Sequence, residues 1–410
     1  MLPAGGEIQS YHVACLCLGG IPHTDVTIRI GQGRVLDVIP GRSAEAVELG
    51  SVALVDGLVN AHTHLEFSLQ TEPTPTQGRF TDWIRQVVRY RREHPESTAK
   101  AIRTGIDESL RSGTTLIGDI ATIGWAADNY QVSGCRRIVF QEVLGLSAER
   151  MTQQRQLARS AAALASQDFA IGISPHAPYS THFDLVRDSV HLARECGCPV
   201  AMHLAETKAE LELLAHQTGE FRELLIDFGI WNDNLFDTAR RPLDYLNVLA
   251  EAPRALIIHG NYLQEDELHF IASQPQMTLI YCPRTHAAFG HDPHPWQRLI
   301  ELGGRVAIGT DSRASNPDLS LFAELQYLAA RHPTVSHLKL LELGSRKGRT
   351  ALGFGSDESI TDADLTLVQI EHFDGRHIDR DLFSSQNSVC GTMIGGVWIS
   401  GGKDVPMDDH

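Results

Sequence analysis

Two histidines separated by one residue follow an apolar stretch near the N-terminus. The stretch covers residues 52–61, and His62-Thr63-His64 comes directly after it. Because side chains alternate along a β-strand, residues i and i+2 point to the same side. Two neutral imidazoles that converge at a strand end provide half of a metal site. The chain has 20 histidines, so the pair becomes informative only together with other residues of this kind.

Later strand-like segments also end in residues that can bind a metal or move a proton. They are His176 after the fourth segment, His203 and Glu206 at the fifth, His259 at the sixth and Asp311 at the eighth. In a parallel barrel every strand brings its C-terminal end to one rim, where catalytic sites are built. This collinear series predicts one site at that rim.

Each of these residues also has a plainer explanation when taken alone. Asp311 lies in Gly-Thr-Asp-Ser, which reads as a turn, and Glu206 could be a carboxylate in the first turn of a helix. His176 and His259 could be hydrogen-bonded core histidines. The series as a whole favours the metal site.

The middle of the chain alternates between strand-like and helical patterns. Short β-branched runs follow the first one at residues 114–119, 137–144, 170–174, 199–204, 255–259, 277–282 and 305–309. Helical patterns separate them, for example at residues 98–112 and 149–166. Eight strands alternating with helices predict an α/β fold, a (β/α)8 TIM-like barrel. Residues 207–253 form a segment longer than one crossover connection needs, which predicts an inserted loop around residues 231–235.

Both ends of the chain are rich in strand patterns and differ from the middle. Residues 11–18, 25–30 and 34–39 read as strands, as do 364–370, and 393–399 reads as a hairpin around Gly395-Gly396. We predict a small β-sandwich domain formed by both termini, residues 1–55 plus 360–410. The catalytic barrel is predicted to cover 56–359.

Five motifs resemble the amidohydrolase superfamily, and within it the cytosine deaminase and chlorohydrolase-like aminohydrolases. They begin at Gly57, Ser174, Met202, Ile258 and Gly309, and read GLVNAHTH, SPHAPYS, MHLAET, IHG and GTDS. The resemblance implies His62, His64, His203 and Asp311 as metal ligands. It implies Glu206 as the proton shuttle, His259 as the residue that orients the attacking water, and His176 as a residue that faces the substrate.

This set of residues suits the chemistry that the resemblance implies. Three imidazoles and one carboxylate suit Zn²⁺ best and also Fe²⁺, with one position left for water. A bound metal lowers the pKa of that water, and Asp311 can take its proton. Glu206 could protonate a ring nitrogen and then the leaving amine. Bimetallic relatives use a carboxylated Lys on strand four or a Glu, and residues 170–174 contain no Lys, so we predict one divalent ion.

The chain departs from these relatives at two arginines near the predicted rim. Arg284 and Arg313 replace smaller residues that relatives often carry, and arginine binds carboxylates through a planar fork. We therefore expect them to bind an anionic part of the substrate, although either could be a structural ion-pair partner. Trp83 is predicted as pocket wall or helix core, and Glu142 as pocket lining or a partner of Arg137.

Composition narrows the remaining function classes. A net charge of -16 argues against a general nucleic-acid grip, which needs basic patches. No stretch is long and apolar enough to span a bilayer, and the start lacks a signal-peptide pattern. Seven cysteines without a CxxC pair predict reduced thiols and a cytoplasmic location. A homodimer is left open.

The resemblance implies a deaminase that hydrolyses an exocyclic amino group of a purine, pyrimidine or related ring and releases ammonia. An adenine nucleoside with an anionic group, such as aminodeoxyfutalosine, would fit. The alternatives are a chlorohydrolase of an s-triazine-like ring, which would use the same ligands, and a non-catalytic barrel scaffold. In every case the expected partner is a small heteroaromatic molecule.

Overall fold

The fold consists of two β-sheets that share no strand. The computed structural model describes residues 8–122, 124–130, 134–166, 169–355, 362–371 and 377–401. Within these ranges one sheet is an eight-stranded parallel barrel from the middle of the chain, and the other is a mixed sheet formed by both ends. The predicted barrel and the predicted small β domain are confirmed.

The mixed sheet combines five strands from the N-terminal part with three from the C-terminal part. Its strands are β1 (Gln9–Leu18), β2 (Ile21–Gly31), β3 (Arg34–Pro40), β4 (Val47–Glu48), β5 (Val52–Asp56), β14 (Leu365–Gln369), β15 (Ser388–Ile394) and β16 (Val397–Gly401). They lie in the order β16-β15-β14-β5-β1-β2-β3, with β4 beside β1. Gly395 and Gly396 both have positive φ, +57° and +77°, and form the tight turn of the last hairpin, as the glycine pair predicts.

The barrel strands follow one another in space in their order along the chain. They are β6 (Leu58–Thr63), β7 (Thr114–Ala121), β8 (Arg136–Val143), β9 (Ala170–Pro175), β10 (Val200–Leu204), β11 (Ala255–His259), β12 (Met277–Tyr281) and β13 (Val306–Ile308). At the rim the backbone amides of Thr310 and Asp311 both donate to the carbonyl of His62, at 3.1 Å each. These two bonds join the last strand to the first and close the ring where the site lies.

Helices occupy the connections between the strands. They are α1 (Phe80–Glu93), α2 (Thr98–Arg111), α3 (Ala148–Ala162), α4 (Phe183–Cys196), α5 (Lys208–His216), α6 (Glu220–Asp227), α7 (Pro242–Leu249), α8 (Glu265–Ser273), α9 (Pro283–Ala288), α10 (Trp296–Glu301), α11 (Leu321–Arg331), α12 (His337–Leu343), α13 (Arg346–Leu352) and α14 (Ile378–Asp381). Short 3₁₀ helices lie at Leu65–Phe67 and Ala127–Tyr130. Among the described residues, none of these helices has the length and apolar character that a membrane span needs.

The long connection after β10 is helical for most of its length. Helices α5, α6 and α7 take up much of residues 207–253, and an irregular segment containing Trp231 lies between α6 and α7. Trp231 packs against Phe236 with ring centroids 5.9 Å apart. The predicted insertion therefore lies where expected.

The apolar run 52–61 is two strands rather than the single strand that its hydrophobicity predicts. β5 belongs to the mixed sheet and β6 to the barrel, and Gly57 lies between them. A Cβ added to Gly57 would lie 2.5 Å from Oγ1 of Thr115 and 2.8 Å from the carbonyl oxygen of Asp364. A continuous apolar run indicates burial but does not show which sheet buries each part.

This close approach makes Gly57 a test of how the two sheets are joined. We expect Gly57→Val to lower the free energy of unfolding by about 1–3 kcal/mol, because the added atoms overlap packed backbone and side chain. Thermal unfolding of the variant should begin several degrees lower. Ser51→Ala, at an exposed position before β5, is the control and should leave the transition unchanged. An unchanged transition for Gly57→Val would contradict the packing described here.

Candidate functional site

Three imidazoles meet at the C-terminal rim of the barrel. His62 lies in β6, His64 follows that strand directly, and His203 lies in β10. One ring nitrogen from each lies within 4.8 Å of the others, and all three residues are buried. Nε2 of His64 and Nε2 of His203 are 3.3 Å apart. His62 and His64 thus converge on one centre with His203, which is distant from them in the chain.

Asp311 completes this cluster from the loop after β13. Its Oδ1 lies 3.7 Å from Nε2 of His62 and 3.7 Å from Nε2 of His64. Its backbone is in the left-handed region with φ +57°, held by Thr63 Oγ1, which donates to its carbonyl at 2.8 Å. The Ser315 hydroxyl donates to Oδ2 at 2.9 Å. Burial alone would raise the pKa of Asp311, but His62 and the other neighbours outweigh it and lower that pKa.

The donors present fit a divalent cation. Both ring nitrogens of His62 are buried and have no hydrogen-bond partner among the described residues. Burial lowers the pKa of His64 and of His203 well below the usual range, so both are neutral. Nδ1 of His203 lies 3.1 Å from the carbonyl oxygen of His176; donating there leaves Nε2 free as a ligand. Three imidazole nitrogens and one carboxylate are a donor set typical of zinc.

Glu206 lies beside this cluster and faces His259. Its Oε1 is 3.3 Å from Nε2 of His259. The turn that presents it is held by the buried carboxylate of Glu210, which accepts from the amides of Ala205 at 2.8 Å and Glu206 at 3.1 Å. Burial, Asp311 and Glu210 raise the pKa of Glu206 well above its usual range. Burial therefore favours the protonated form of this side chain.

His259 ends β11 in a left-handed conformation with φ +64°. Nε2 of the partly buried His294 donates to the His259 carbonyl at 2.7 Å, and the amide of Trp296 donates to Nδ1 of His294 at 3.1 Å. The ring of His294 stacks on Tyr281 with centroids 3.8 Å apart. His294 thus holds the backbone that aims His259, a contact that the sequence pattern did not reveal.

His176 and Glu142 lie on the other side of the cluster, at the ends of neighbouring strands. Nδ1 of His176 lies 2.6 Å from the Ser180 hydroxyl, and its Nε2 lies 3.9 Å from Oε1 of Glu142. Burial lowers the pKa of His176 to about 3, so its ring is neutral. Burial also raises the pKa of Glu142, with Arg91 acting in the opposite direction. Arg137, the alternative partner for Glu142, instead donates to the Cys135 carbonyl.

Aromatic side chains form one wall of the cavity over the cluster. Trp83 lines this cavity and packs against Phe80 and Phe289, with centroids 5.4 Å and 5.2 Å away. Its indole Nε1 donates to the Ala314 carbonyl at 3.2 Å, which fixes the ring. Tyr179 also lines this cavity. Trp83 thus lines the cavity and also packs against the apolar cluster beside it, and its role towards a substrate stays a prediction.

The geometry corrects the expectation for Arg284 and Arg313, since neither lines the cavity. Arg284 donates to Glu324 at 2.7 Å and to Asp318 at 2.6 Å. Arg313 donates to Glu108 at 2.7 Å and to the Gln70 carbonyl at 2.7 Å. Both guanidiniums are engaged in structural ion pairs.

The arginine that does reach the cavity is Arg91 on α1, which the sequence analysis missed. It lies within the run Arg89-Tyr90-Arg91-Arg92, and such a run resembles a solvated helix face. Its guanidinium donates to Oε1 of Glu66 at 2.6 Å and lies 5.1 Å from the centre of the Phe67 ring. Only its position on the inner side of α1 distinguishes it from its neighbours.

Comparison with known proteins decides the family. The model of the amidohydrolase family matches residues 54–399. The chain belongs to the amidohydrolase family. The resemblance drawn from the motifs is therefore confirmed.

Relatives of this amidohydrolase are found among curated proteins and solved structures. It is 27% identical over 335 residues to the aminodeoxyfutalosine deaminase of Nitratiruptor sp., covering 77% of this chain and 79% of that protein. The Helicobacter pylori aminofutalosine deaminase in complex with methylthio-coformycin is 23% identical, with a TM-score of 0.82 and coverage of 95% and 100%. An adenosine deaminase from Xanthomonas campestris with bound zinc is 22% identical, with a TM-score of 0.75 and coverage of 98% and 94%. At these identities the two structures establish the fold alone.

Metal content tests the cluster directly. We expect the purified protein to hold one divalent ion per chain, and His203→Ala to lower the affinity at least ~10-fold, since loss of a ligand should exceed the loss of an outer partner. Elemental analysis after dialysis against a metal buffer measures the metal content of each variant. His191→Ala, an exposed histidine on α4, is the matched control. Full metal occupancy in His203→Ala would contradict the site.

Proposed function

We propose that this amidohydrolase is a metal-dependent deaminase that adds water to an adenine-type ring and releases its exocyclic amino group as ammonia. The observation that carries the proposal is the buried carboxyl of Glu206, presented beside His259 and next to a cluster of three histidines and Asp311. A hydrolytic deaminase needs such a proton carrier next to an activated water.

The relatives support the same reaction class. The Nitratiruptor protein and the two structural relatives bear names of deaminases that act on adenosine or on an aminofutalosine. The corresponding enzyme class is hydrolases of carbon–nitrogen bonds in cyclic amidines.

We propose that His62, His64, His203 and Asp311 hold one divalent cation, with zinc as the first choice and iron as the second. A bound divalent cation would supply Lewis acidity, which makes water a better nucleophile at neutral pH. The zinc reported for the Xanthomonas relative and the nitrogen-rich donor set both support zinc.

Proton transfer is assigned to Glu206, with Asp311 as the acceptor of the water proton. Because burial and the neighbouring carboxyls raise its pKa, Glu206 favours its protonated form and can donate to the ring nitrogen beside the carbon under attack. It then takes the proton of the added hydroxyl group and passes it to the leaving amine, so that the ring keeps the oxygen as a carbonyl and ammonia departs, while the proton held by Asp311 restores the protonated form of Glu206. His259, 3.3 Å from Glu206, is placed to orient the water on the same face.

Substrate positioning is assigned to His176 and Trp83, together with Tyr179. His176 is neutral and its Nδ1 is engaged with Ser180, so its Nε2 remains for a ring nitrogen of the substrate. The aromatic wall suits a flat heteroaromatic ring. The cytoplasmic location, the homodimer and the domain bounds remain predictions from the sequence.

The role of Glu206 can be separated from metal binding. We expect Glu206→Gln to keep its metal but to lose roughly 10²–10⁴-fold in kcat, because the amide has a similar shape and cannot shuttle a proton. Adenosine and 5′-methylthioadenosine are the first substrates, with ammonia release as the readout. Glu212→Gln, at an exposed site on α5, is the control.

Three results would count against the proposal. Near-normal kcat in Glu206→Gln would mean that the proton moves by another route. No ammonia from any purine, pyrimidine or adenine nucleoside would remove the deaminase assignment. Release of chloride from a chlorinated triazine in its place would establish the chlorohydrolase alternative.

A further inference from the structure

The spacing between Glu206 and His259 depends on two turns that leave neighbouring strands. The first turn follows β10 and contains Ala205 and Glu206, and the second begins at His259, where β11 ends. Ala205 and His259 both have positive φ, +53° and +64°, although neither is glycine. Such backbones persist only where their surroundings enforce them. The 3.3 Å between Oε1 of Glu206 and Nε2 of His259 therefore requires bonds that hold the two turns in place.

Asn261 joins the second turn to the first. Its Nδ2 donates to the backbone carbonyl of Glu206 at 2.9 Å, and the amide of Tyr262 donates to the carbonyl of Ala205 at 3.0 Å. Asn261 is 5% exposed, and its Oδ1 has no hydrogen-bond partner among the described residues. Within the part of the chain that the structure describes, the contact with Glu206 is therefore the one hydrogen bond that this buried side chain makes.

His294 holds the second turn from the other side, from the segment between α9 and α10. A backbone carbonyl can only accept and a backbone amide can only donate, so the ring must carry its proton on Nε2 to bond both His259 and Trp296. Burial lowers the pKa of His294 to about 3, which keeps the ring in this neutral form. Stacking on Tyr281 fixes its plane. The carbonyl of His259 is thus bonded by a donor of fixed direction.

We propose that Asn261 and His294 are positioning residues, which hold Glu206 and His259 at the distance that proton transfer and water orientation need. The inference rests on the proposed deaminase function. Neither residue lines the cavity over the metal cluster, so an effect of either on turnover must pass through Glu206 or His259. Displacing a catalytic group by about 1 Å can cost ~100-fold in rate. Loss of either bond should therefore lower kcat and leave KM unchanged.

Two amide substitutions of His294 separate its two hydrogen bonds. The side-chain amide of asparagine reaches the position of Nδ1 of a histidine, and that of glutamine reaches the position of Nε2. His294→Asn should therefore keep the bond to the Trp296 amide and lose the bond to the His259 carbonyl, whereas His294→Gln keeps the latter. With 5′-methylthioadenosine and the metal-loaded full chain, we expect kcat to fall roughly 10- to 100-fold in His294→Asn, at unchanged KM and metal content. His294→Gln should recover most of this loss.

Asn261→Leu tests the other side of the same pair, and it keeps the inference testable if His294→Asn does not fold. Leucine has a similar shape and lacks the donor to Glu206, so kcat should again fall roughly 10- to 100-fold at unchanged KM. Cooperative thermal unfolding of each variant shows that the fold is kept. His269→Asn, at an exposed position on α8, is the control and should behave as the wild type.

Two results would overturn the inference and leave the deaminase function standing. They are wild-type kcat in folded His294→Asn or Asn261→Leu, and equal losses in His294→Asn and His294→Gln. If the wild type releases no ammonia from any nucleoside, the proposed function fails, and crystal structures of the variants decide the inference separately. A distance between Glu206 Oε1 and His259 Nε2 that lengthens in His294→Asn and stays at 3.3 Å in His294→Gln would support it, and an unchanged distance in both would overturn it.

Discussion

The site depends on the closure of the barrel at His62. The carbonyl of this residue accepts the amides of Thr310 and Asp311, so one backbone oxygen joins the first strand to the loop after the last. The same bonds bring the Asp311 carboxylate to 3.7 Å from the imidazoles of His62 and His64. Asn60 reinforces the joint, since its side chain donates to Thr310 Oγ1 and accepts from the Thr310 amide. Residues almost 250 positions apart in the chain therefore hold one another at fixed geometry.

Three residues around this joint have strained backbones, and a hydrogen bond to the backbone of each holds it in place. Ala205, His259 and Asp311 have positive φ although none is glycine. Such conformations cost of order 1–3 kcal/mol each and persist only where the surroundings enforce them. Here Glu210, His294 and Thr63 supply the bonds. At each of these positions the backbone turns sharply after the strand. The residues that follow the strand therefore stay at the rim and do not enter a helix directly.

Burial lowers the pKa of the histidines in the site and raises the pKa of Glu206, because it disfavours the charged form of each group. It keeps the imidazoles of His64 and His203 neutral and therefore able to act as ligands. It raises the pKa of Glu206, while neighbouring histidines lower the pKa of Asp311. The pKa values of two acids in one cavity are thus shifted in opposite directions because their nearest neighbours differ.

The sequence by itself determined the strand order, the barrel and the members of the central cluster, because parallel strands bring their C-terminal ends together whatever the loops do. His62, His64, His203, Glu206, His259 and Asp311 all lie at one rim, as their order predicts. The tertiary structure alone decided which arginine reaches the substrate cavity and where the first apolar run divides between two sheets. Arg284 finds Glu324 and Asp318, whereas Arg91 turns inwards from α1. The ion-pair partner of an arginine can be distant in the chain, so motif spacing does not show which arginine is left to face the cavity. An apolar run is equally buried in either sheet, so its periodicity does not show where it divides.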